Sequence, residues 1–458
     1  MNFDYGKVRD KLNGVGCGFC LAKWTQVTMH LGLGLTHSCH HPVQHKIPLK
    51  EIKRNPSALH NTLYKKKKRK EMLEGKRPSE CNFCWNIEDN SNAFSDRTFK
   101  SSEPWSLDQF ETIKNLDWRA DYNPRYVEVS FSNTCNLKCA YCGPQYSSKW
   151  VEEIEKHGMY DTSTRYNSLE DIKNRGEMPY KHSEYNPYIE AFWKWWPDLY
   201  KDLHTFRITG GEPLLSKDTF KVLEYIQEHW EENPNLSLAI NTNLSVPRPL
   251  IDKLINICKD LVDNNKVREL IIFTSVEATE KQAEYVRYGL NYDAFWTNIN
   301  DILEQLPKVT INIMAAFNAL SVFTYSDLID KVIEYKKKYT NGQRYWNTAL
   351  QLDTSYTRWP PHLSIKILED QHKELILKAA EKALHYGHNN MINETYGFTD
   401  VEIQKIKRTY DFAISKDDFD VEKYRKDFAK FITQYDQRRD TNFTDTFPEL
   451  KELYDRYR

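Results

Sequence analysis

Six short segments of the chain either alternate apolar and polar residues or form compact apolar runs, as β-strands do. In chain order they are RYVEVSFSN, FRITGG, LSLAINTNLS, ELIIFTSVEAT, VTINIMAAFNALS and NTALQLDTSYTRWPP. KDTFKVLEYIQEHW, after the second segment, repeats apolar residues at helical spacing. Polar side chains collect where successive strands end, and helical patterns lie between the strands. This arrangement predicts an α/β fold built as a β/α barrel, with its polar groups at one face.

Residues 363–458 follow a different pattern, with apolar residues at helical spacing and charged residues on the outer faces. The clearest helical segments are SIKILEDQHKELILKAAEKALHYG and SKDDFDVEKYRKDFAKFITQYDQRRD. No cysteine occurs in this part of the sequence. We expect a C-terminal helical region that closes the barrel or frames an entrance to it.

The overall charge is nearly neutral, with 64 Lys and Arg residues, 65 Asp and Glu residues and a net charge of -1. Such a balance provides no general attraction to nucleic acids or anionic membranes. The N-terminal MNFDYGKVRD lacks the apolar core of a signal peptide, and no run of about 18 or more apolar residues occurs. We therefore expect a soluble cytoplasmic protein without a membrane or nucleic-acid partner.

One local exception to the neutral charge is YKKKKRKEML, residues 64–73. A basic run of this kind is also found in nucleic-acid-binding and localisation segments. Because it lies within a helical pattern that spans residues 57–73, we interpret it as a solvated helix face. The alternative is a lysine face that guides an anionic substrate such as an acidic peptide or a nucleotide.

The 9 cysteines are unevenly distributed, since eight of them precede residue 143. The ninth, Cys258, lies among apolar residues in the helix-like LIDKLINICKD and is predicted to be an inert core thiol. In a reducing compartment, clustered cysteines favour metal or redox chemistry over disulfides.

Cys135, Cys139 and Cys142 follow the first predicted strand with the spacing CxxxCxxC. Zinc sites commonly use pairs of CxxC arms that supply four ligands, whereas this segment has three thiols and no adjacent fourth Cys or His. Three thiolates on a compact loop suit an iron–sulfur cubane with one iron left open. A metal centre with a free position can bind and activate a substrate.

Polar residues also follow the next three predicted strands. The second strand runs into TGGEP, where Gly210 and Gly211 let the backbone approach a ligand closely and Glu212 offers a fixed acceptor for an ammonium group. The polar residues at the ends of the third and fourth strands are Asn241, Thr242, Asn243, Ser275 and Glu277.

In this order, the CxxxCxxC motif, the GGEP motif and the Asn-Thr-Asn strand end resemble those of the radical S-adenosylmethionine (SAM) superfamily. The later stretch SVEATEKQAEYVRYGLNYDAFWTNI resembles a segment of members that carry auxiliary-cluster domains. The resemblance covers residues 124–362 and implies a partial (β/α)6 barrel. It also implies an enzyme that cleaves SAM reductively and abstracts hydrogen from a substrate C–H bond through a 5'-deoxyadenosyl radical.

The resemblance also implies roles for individual residues. The three cysteines would hold a [4Fe-4S] cluster whose open iron takes the amino and carboxylate groups of SAM. Glu277, where related sequences often carry Asp, would bind ribose or act as a base toward a substrate radical or cation. The residues implied to bind SAM are Tyr141 near adenine, Gly210, Gly211 and Glu212 near the methionine amino group, Asn241, Asn243 and Ser275 near the ribose or carboxylate, and Arg287 near the carboxylate.

The five earlier cysteines fall into three groups and supply enough thiolates for a second four-ligand site. Their spacing leaves a structural zinc and a redox-capable iron–sulfur cluster as alternatives. The segment resembles the twitch or half-SPASM module in Cys20-x3-Trp24, in the glycine-led turn before Cys39, and in Cys81-x2-Cys84 with Glu88 and Ser95-Asp96-Arg97. This resemblance implies an auxiliary [4Fe-4S] cluster, although such modules usually follow the barrel. The preferred ligands are Cys20, Cys39, Cys81 and Cys84, with Cys17 as a substitute or additional ligand. The histidines around Cys39, which are His37, His40, His41 and His45, are expected to hydrogen-bond the turn or line its surface.

Together these patterns predict three parts: an auxiliary module over 1–118, a radical SAM partial barrel over 119–362 and a helical region over 363–458. The expected function is oxidative modification of a peptide, with radical modification of a small molecule such as a sugar or nucleoside as a close alternative. A non-catalytic, metal-stabilised binding protein is a third possibility, which the intact cysteine triplet and GGEP motif disfavour. An enzyme of this kind also needs a reducing partner such as a flavodoxin or ferredoxin.

Overall fold

The computed structural model describes residues 4–181, 183–387 and 396–458. The chain forms two compact units. The first comprises residues up to 132 together with 179–210 and 228–238, and the second comprises 133–178, 211–227 and 239–458. None of the helices in the described ranges is long and apolar enough to cross a membrane.

The β-strands include all six that the hydrophobic pattern predicts. In chain order the strands are β1 (Gln26–His30), β2 (Leu35–His37), β3 (His45–Lys46), β4 (Tyr126–Ser130), β5 (Lys138–Cys139), β6 (Thr205–Thr209), β7 (Ser237–Asn241), β8 (Glu269–Thr274), β9 (Arg287–Tyr288), β10 (Thr310–Phe317) and β11 (Leu350–Tyr356). The predicted six correspond to β4, β6, β7, β8, β10 and β11.

Helices follow or separate most of these strands. In chain order the α-helices are α1 (Tyr5–Asn13), α2 (Ala22–Thr25), α3 (Leu49–Arg54), α4 (Leu63–Leu73), α5 (Asn82–Asn90), α6 (Asp96–Ser102), α7 (Pro104–Leu107), α8 (Phe110–Lys114), α9 (Ser148–His157), α10 (Leu169–Asn174), α11 (Pro187–Asp202), α12 (Lys217–His229), α13 (Arg248–Asp263), α14 (Glu280–Val286), α15 (Tyr292–Gln305), α16 (Tyr325–Tyr339), α17 (Asp370–His385), α18 (Asp400–Ile414), α19 (Val421–Arg439), α20 (Phe443–Thr446) and α21 (Lys451–Tyr457). The predicted α/β class, with parallel strands alternating with helices, is confirmed, as is the helical C-terminal region.

In the first unit, the N-terminal strands join the same sheet as the first predicted barrel strand. The order is β3-β2-β1-β4-β6, in which β1 runs parallel to β4 and β4 parallel to β6, while β2 is antiparallel to both β1 and β3. The sequence pattern did not predict β1, β2 or β3. The division at residues 118 and 362 stays a prediction, and the two compact units follow different boundaries.

The basic helix α4 is only partly solvated. Lys65, Arg69 and Met72, spaced four and three residues apart, are buried on one face, whereas Lys67 and Lys70 are exposed. Met72 belongs to an apolar core with Leu12, Phe19, Trp24 and Phe110, among others. The expectation of a purely solvated lysine face is therefore wrong for the buried side of this helix.

In the second unit, β8 runs parallel to β10 and β10 parallel to β11, and β7 lies beside β8. The helix α13 packs with apolar residues at helical spacing, from Ile251 through Leu254 and Cys258 to Leu261, all of them buried. Cys258 is therefore the core thiol that the sequence predicts.

The C-terminal helix α19 reaches the loop that follows β4. Arg439, at the end of α19, donates to the carbonyl oxygen of Lys138 at 2.7 Å and to both carboxylate oxygens of Glu153 at 2.9 and 3.2 Å. Lys138 Nζ donates to the same carboxylate at 2.8 Å, and Tyr160 donates to it at 2.6 Å. Glu153 lies on α9, which directly follows the cysteine loop. The buried Glu153 carboxylate therefore binds Arg439, which lies 286 positions away in the sequence.

We expect Glu153→Gln to lower the free energy of unfolding by about 3–5 kcal/mol, because it leaves the buried Arg439 guanidinium without its counter-ion. Burial alone would raise the pKa of the Glu153 carboxyl. Arg439 and the hydrogen bonds outweigh burial and lower this pKa from 4.5 to about 2. The carboxylate's contribution is therefore complete above the unperturbed pKa of 4.5 and is lost as the pH falls toward 2. Urea unfolding between pH 5 and 8 should show a constant gap from the wild type.

Glu152→Gln is the matched control, since Glu152 precedes Glu153 on the same helix and pairs with Lys149 in solvent, with 60% of its side chain exposed. Its removal should change the free energy of unfolding by no more than about 0.5 kcal/mol. Equal effects of the two substitutions would contradict the bracing role of Glu153.

Candidate active site

The three cysteines of the triplet lie on one loop whose backbone is held at several points. Cys139 is in β5, which pairs antiparallel with β9 so that Cys139 lies opposite Arg287. The Cys139 carbonyl accepts from Trp150 Nε1 at 3.0 Å, and the Cys142 carbonyl accepts from the Tyr166 hydroxyl at 2.5 Å. This loop therefore has a defined shape although its only regular structure is a two-residue strand.

The thiols themselves are half-buried, and burial raises the pKa of Cys135 to about 12 and the pKa of Cys139 and Cys142 above the usual value. Cys139 acts electrostatically on Cys135, and both act on Cys142, so the three thiols are neighbours. Over the described ranges, no three His, Cys, Asp or Glu side chains converge on a point suited to a single metal ion. In its donor chemistry, three thiols on one short loop, the triplet fits the predicted cluster with an open iron.

The paired glycines of the GGEP motif approach the protein's own backbone. Gly210 has φ +136°, and a Cβ there would lie 2.9 Å from the Ser132 carbonyl oxygen. A Cβ on Gly211 would lie 2.4 Å from the Thr134 carbonyl oxygen. Both contacts are with residues just before Cys135, so any side chain at either position would displace the start of the cysteine loop.

Glu212 is buried and hydrogen-bonded to two backbone N–H groups. Its carboxylate accepts from Asn243 N at 2.6 Å and from Leu214 N at 3.0 Å, while its own N–H donates to the Thr134 carbonyl at 2.7 Å. Burial raises its pKa to about 7, against the lowering effect of the two N–H donors. The predicted role of Glu212 toward an ammonium group stays a prediction, and two of its acceptor positions are already occupied.

The polar residues at the strand ends differ in what they contact. Asn243 Nδ2 donates to Asn136 Oδ1 at 2.9 Å, which connects the segment after β7 to the cysteine loop. Asn241 Nδ2 lies 3.9 Å from Met314 Sδ on β10, and Ser275 is half-buried just after β8. Of the three, Asn243 is the one that the structure brings to the loop.

Glu277 and Arg287 form a buried ion pair beside the triplet. The carboxylate of Glu277 accepts from Arg287 Nη2 at 2.6 Å and Nε at 3.0 Å, and from the Tyr141 hydroxyl at 3.2 Å. Arg287 Nη1 lies 3.8 Å from Cys139 Sγ. The predicted catalytic residue and two predicted SAM-binding residues therefore form one network, with Arg287 bridging Glu277 and a cysteine.

The guanidinium of this pair is charged. Burial alone would lower the pKa of Arg287, but the Glu277 carboxylate raises it above the usual value. The segment after β9 is also constrained, because Gly289 has φ +103° and a Cβ there would lie 3.2 Å from the Asn136 carbonyl oxygen. The Arg-Tyr-Gly sequence thus places a cation and a close backbone contact against the cysteine loop.

Four of the five earlier cysteines line one cavity in the first unit. These four, Cys20, Cys39, Cys81 and Cys84, are the preferred ligands predicted from the sequence. Cys17 is exposed, does not line this cavity, and donates to the Gly75 carbonyl oxygen at 3.5 Å. Four thiols around one cavity supply the donor types of a four-ligand cluster, although no three of them converge on one point as a single metal ion requires.

Charged residues also line this cavity. Lys23 is buried and pairs with Glu80, the residue before Cys81. Arg97 is held by the Glu88 carboxylate at 2.9 and 3.0 Å. Glu88 and Arg97 belong to the segment on which the module resemblance rests, but no spacing pattern pointed to Lys23.

Of the histidines near Cys39, His37 contacts the turn as expected, whereas the other three contact side chains of other segments. His37 Nδ1 contacts the Cys39 carbonyl oxygen, and His41 Nε2 lies 2.6 Å from Asp96 Oδ2. His40 Nε2 lies 3.2 Å from Gln26 Nε2, and His45 Nε2 lies 3.1 Å from Thr62 Oγ1. Burial lowers the pKa of His37 to about 4, so its imidazole is neutral near pH 7.

Two solved structures resemble the chain weakly. Streptococcus suis SuiB bound to S-adenosylmethionine shares 14% identity at a TM-score of 0.29, covering 73% of this chain and 74% of that one. SuiB bound to the precursor peptide SuiA shares 14% identity at a TM-score of 0.31, covering 80% of this chain and 69% of that one. TM-scores this low support no argument about fold or function.

The sequence relatives are more informative, although no protein-family model matches the chain. The chain is 26% identical over 121 residues to the GTP 3',8-cyclase of Campylobacter lari, 25% over 118 residues to that of Nautilia profundicola and 25% over 118 residues to that of a Sulfurovum species. Each match covers 26% of this chain and no more than 28% of the relative. The chain therefore resembles part of these cyclases, and it spans well under half of the length of the relatives that it matches.

Proposed function

We propose that the chain is an enzyme that cleaves S-adenosylmethionine reductively and abstracts hydrogen from a substrate C–H bond. The observation that carries this proposal is the triplet loop: three neighbouring thiols, Cys135, Cys139 and Cys142, held in shape by contacts from α9, β9 and the GGEP segment. When bound there, a [4Fe-4S] cluster with SAM supplies a 5'-deoxyadenosyl radical. The chain's own task is to position SAM and to exclude water.

The ion pair of Glu277 and Arg287 is proposed to position groups at the triplet. Arg287 lies against Cys139 and carries a charge suited to a carboxylate, while Glu277 fixes the guanidinium and the Tyr141 hydroxyl. In this arrangement Glu277 acts through Arg287 and Tyr141, and its use as a base toward a substrate radical becomes the second interpretation.

The four-cysteine cavity of the first unit is proposed to hold an auxiliary [4Fe-4S] cluster, with zinc as the alternative occupant. Cys20, Cys39, Cys81 and Cys84 would bind it, because they line one cavity while Cys17 does not. A redox-capable auxiliary cluster suits an oxidative outcome, since it can accept an electron from a product radical.

For the substrate we propose a peptide, on the resemblance of the cysteine module to twitch and SPASM modules. A nucleotide or another small molecule is the second candidate, favoured by the similarity of part of the chain to GTP 3',8-cyclases. The reducing partner is proposed to be a one-electron carrier such as a flavodoxin or ferredoxin. A cytoplasmic location remains a prediction.

Replacing Cys135, Cys139 and Cys142 with Ala should lower the iron content from about eight to about four per chain and abolish 5'-deoxyadenosine formation. The reason is that the triplet would lose its cluster while the four-cysteine cavity keeps its own. The measurement is iron and sulfide content and 5'-deoxyadenosine yield after anaerobic reconstitution and reduction with SAM present.

Cys258→Ala is the control, because it removes a buried thiol that lies in α13. It should leave both iron content and 5'-deoxyadenosine unchanged. About four irons and one zinc in the wild type would support SAM cleavage at the triplet but would contradict an auxiliary iron–sulfur cluster in the four-cysteine cavity. A triplet that never loads a cluster would overturn the proposal as a whole.

Glu277→Gln, Arg287→Met and the double variant should weaken SAM binding to similar, non-additive extents, because both residues act through one ion pair. The measurement is the SAM dissociation constant of reconstituted protein, by calorimetry under anaerobic conditions. If Glu277→Gln instead leaves SAM affinity and 5'-deoxyadenosine formation intact but stops product formation, Glu277 acts as a base rather than through Arg287.

The two substrate candidates differ in which compound stimulates SAM cleavage. A peptide substrate should raise 5'-deoxyadenosine yield and lose two hydrogen atoms by mass spectrometry, because hydrogen abstraction is followed by oxidation. The probes are GTP and synthetic peptides encoded by short reading frames next to this gene. Stimulation by GTP, with deuterium passing from deuterated GTP into 5'-deoxyadenosine, would replace the peptide with the nucleotide.

A further inference from the structure

Lys23 is a buried cation in the wall of the four-cysteine cavity. It lies on the short helix α2, three residues after Cys20, and only 2% of its side chain is exposed. Its ammonium pairs with the carboxylate of Glu80, which has 9% of its side chain exposed and directly precedes Cys81. The helix and the ion pair thus fix the ammonium group against the space that the four thiols surround.

The ammonium interacts electrostatically with the thiols. Burial raises the pKa of Cys39 to about 12 and that of Cys81 above its usual value, and Lys23 opposes both shifts. The only other charged groups whose side chains line this cavity in the described ranges are Arg97, Lys100, and the rim pair His41 and Asp96. Lys23 is therefore a cation placed to stabilise negative charge on the sulfur ligands.

Further buried positive charge lies behind this wall. Lys65 donates to Thr36 Oγ1 at 3.1 Å, and Arg69 donates to Asn61 Oδ1 at 2.8 Å and to the Lys23 carbonyl at 3.3 Å. These partners are neutral. Burial and the neighbouring cations lower the pKa of Lys65, so this amine is not counted as a cation. The buried cations Lys23, Arg69 and Arg97 still exceed the carboxylates paired with them, which are those of Glu80 and Glu88. A buried excess of positive charge suits an anionic occupant.

We propose that Lys23 raises the reduction potential of the auxiliary cluster, and that Glu80 limits this effect. The inference rests on the proposed function, which places a [4Fe-4S] cluster among the four cysteines. Reduction adds one negative charge to the cluster, and a fixed ammonium in a low-dielectric environment stabilises that charge. Glu80, on the other side of Lys23, partly cancels its field. Lys23 is thus a positioning residue for charge, acting through the cluster's ligands.

The test uses the full chain with Cys135, Cys139 and Cys142 replaced by Ala, so that only the auxiliary cluster is present. Reconstituted protein is titrated with dithionite as the electron source, and the reduced cluster is followed by electron paramagnetic resonance. Lys23→Met should lower the equilibrium constant for one-electron reduction about tenfold, which corresponds to about 59 mV. Glu80→Gln should shift the potential in the opposite direction.

Lys67→Met is the matched control. It removes the same charge from an exposed position on α4, where solvent and salt screen it, and should leave the potential unchanged. A merely structural role for Lys23 and Glu80 would not produce shifts of opposite sign. Shifts of the same sign, or no shift in proteins that hold four irons, would overturn the proposal.

Two further outcomes are separable. If the triplet variant holds zinc and no iron, the auxiliary cluster and this inference both fail, while 5'-deoxyadenosine formation by the wild type still reports on SAM cleavage. If the Lys23→Met protein binds no iron, the Lys23→Arg and Glu80→Gln variants test the proposal instead. A wild-type reduction potential in Lys23→Arg together with a raised reduction potential in Glu80→Gln would support the proposal. Any other combination contradicts it.

Discussion

The loop that carries Cys135, Cys139 and Cys142 depends on buried carboxylates that accept hydrogen bonds from distant parts of the chain. Glu153 binds Arg439 and Lys138, Glu277 binds Arg287 and Tyr141, and Glu212 accepts two backbone N–H groups. Burying a carboxylate costs free energy unless hydrogen-bond donors fill its acceptor positions. The donor groups are therefore held against the carboxylate. The loop has little secondary structure, so these contacts define its shape.

The parts of this molecule that repeat a short pattern were predictable from the sequence. The six predicted strands follow from alternating or compact apolar segments, and Cys258 follows from its helical neighbours. The triplet and the four preferred module cysteines follow from the grouping of thiols, and the structure gathers the four around one cavity. The strand, helix and triplet patterns are local, because each rests on residues within a few turns or one strand, whereas the choice of the four module cysteines also rests on the module resemblance.

The parts that were not predictable depend on contacts between residues far apart in the sequence. Arg439 meets Glu153 across 286 positions, and neither residue lies in a motif. Lys65 and Arg69 fall within a basic run that is typical of a solvated face, but tertiary packing turns one side of that helix inward, where Thr36, Asn61 and His60 satisfy their donors. The strands β1, β2 and β3 are short, and pairing with β4 stabilises β1 in a way that its own sequence does not indicate.

The two cysteine sites use charge differently, although both combine thiols with a buried cation. At the triplet, Arg287 is held by Glu277 and lies against the Cys139 thiol. Its positive charge therefore has a fixed position beside the predicted cluster ligands. At the four-cysteine cavity, Lys23 and Arg97 each have a carboxylate partner, but Lys65 and Arg69 behind the wall have neutral partners. In the absence of metal, burial raises the pKa of the thiols at both sites and keeps them neutral. At the four-cysteine cavity, the hydrogen bonds of Arg69 go to the neutral Asn61 and His60 and to a backbone carbonyl, so its charge is balanced by no hydrogen-bonded carboxylate among the described residues. Metal binding requires thiolates, so loading a site releases protons, supplies the missing negative charge and contributes to folding free energy. The four-cysteine cavity, with its excess of buried cations, should therefore gain more folding free energy from metal binding than the triplet does.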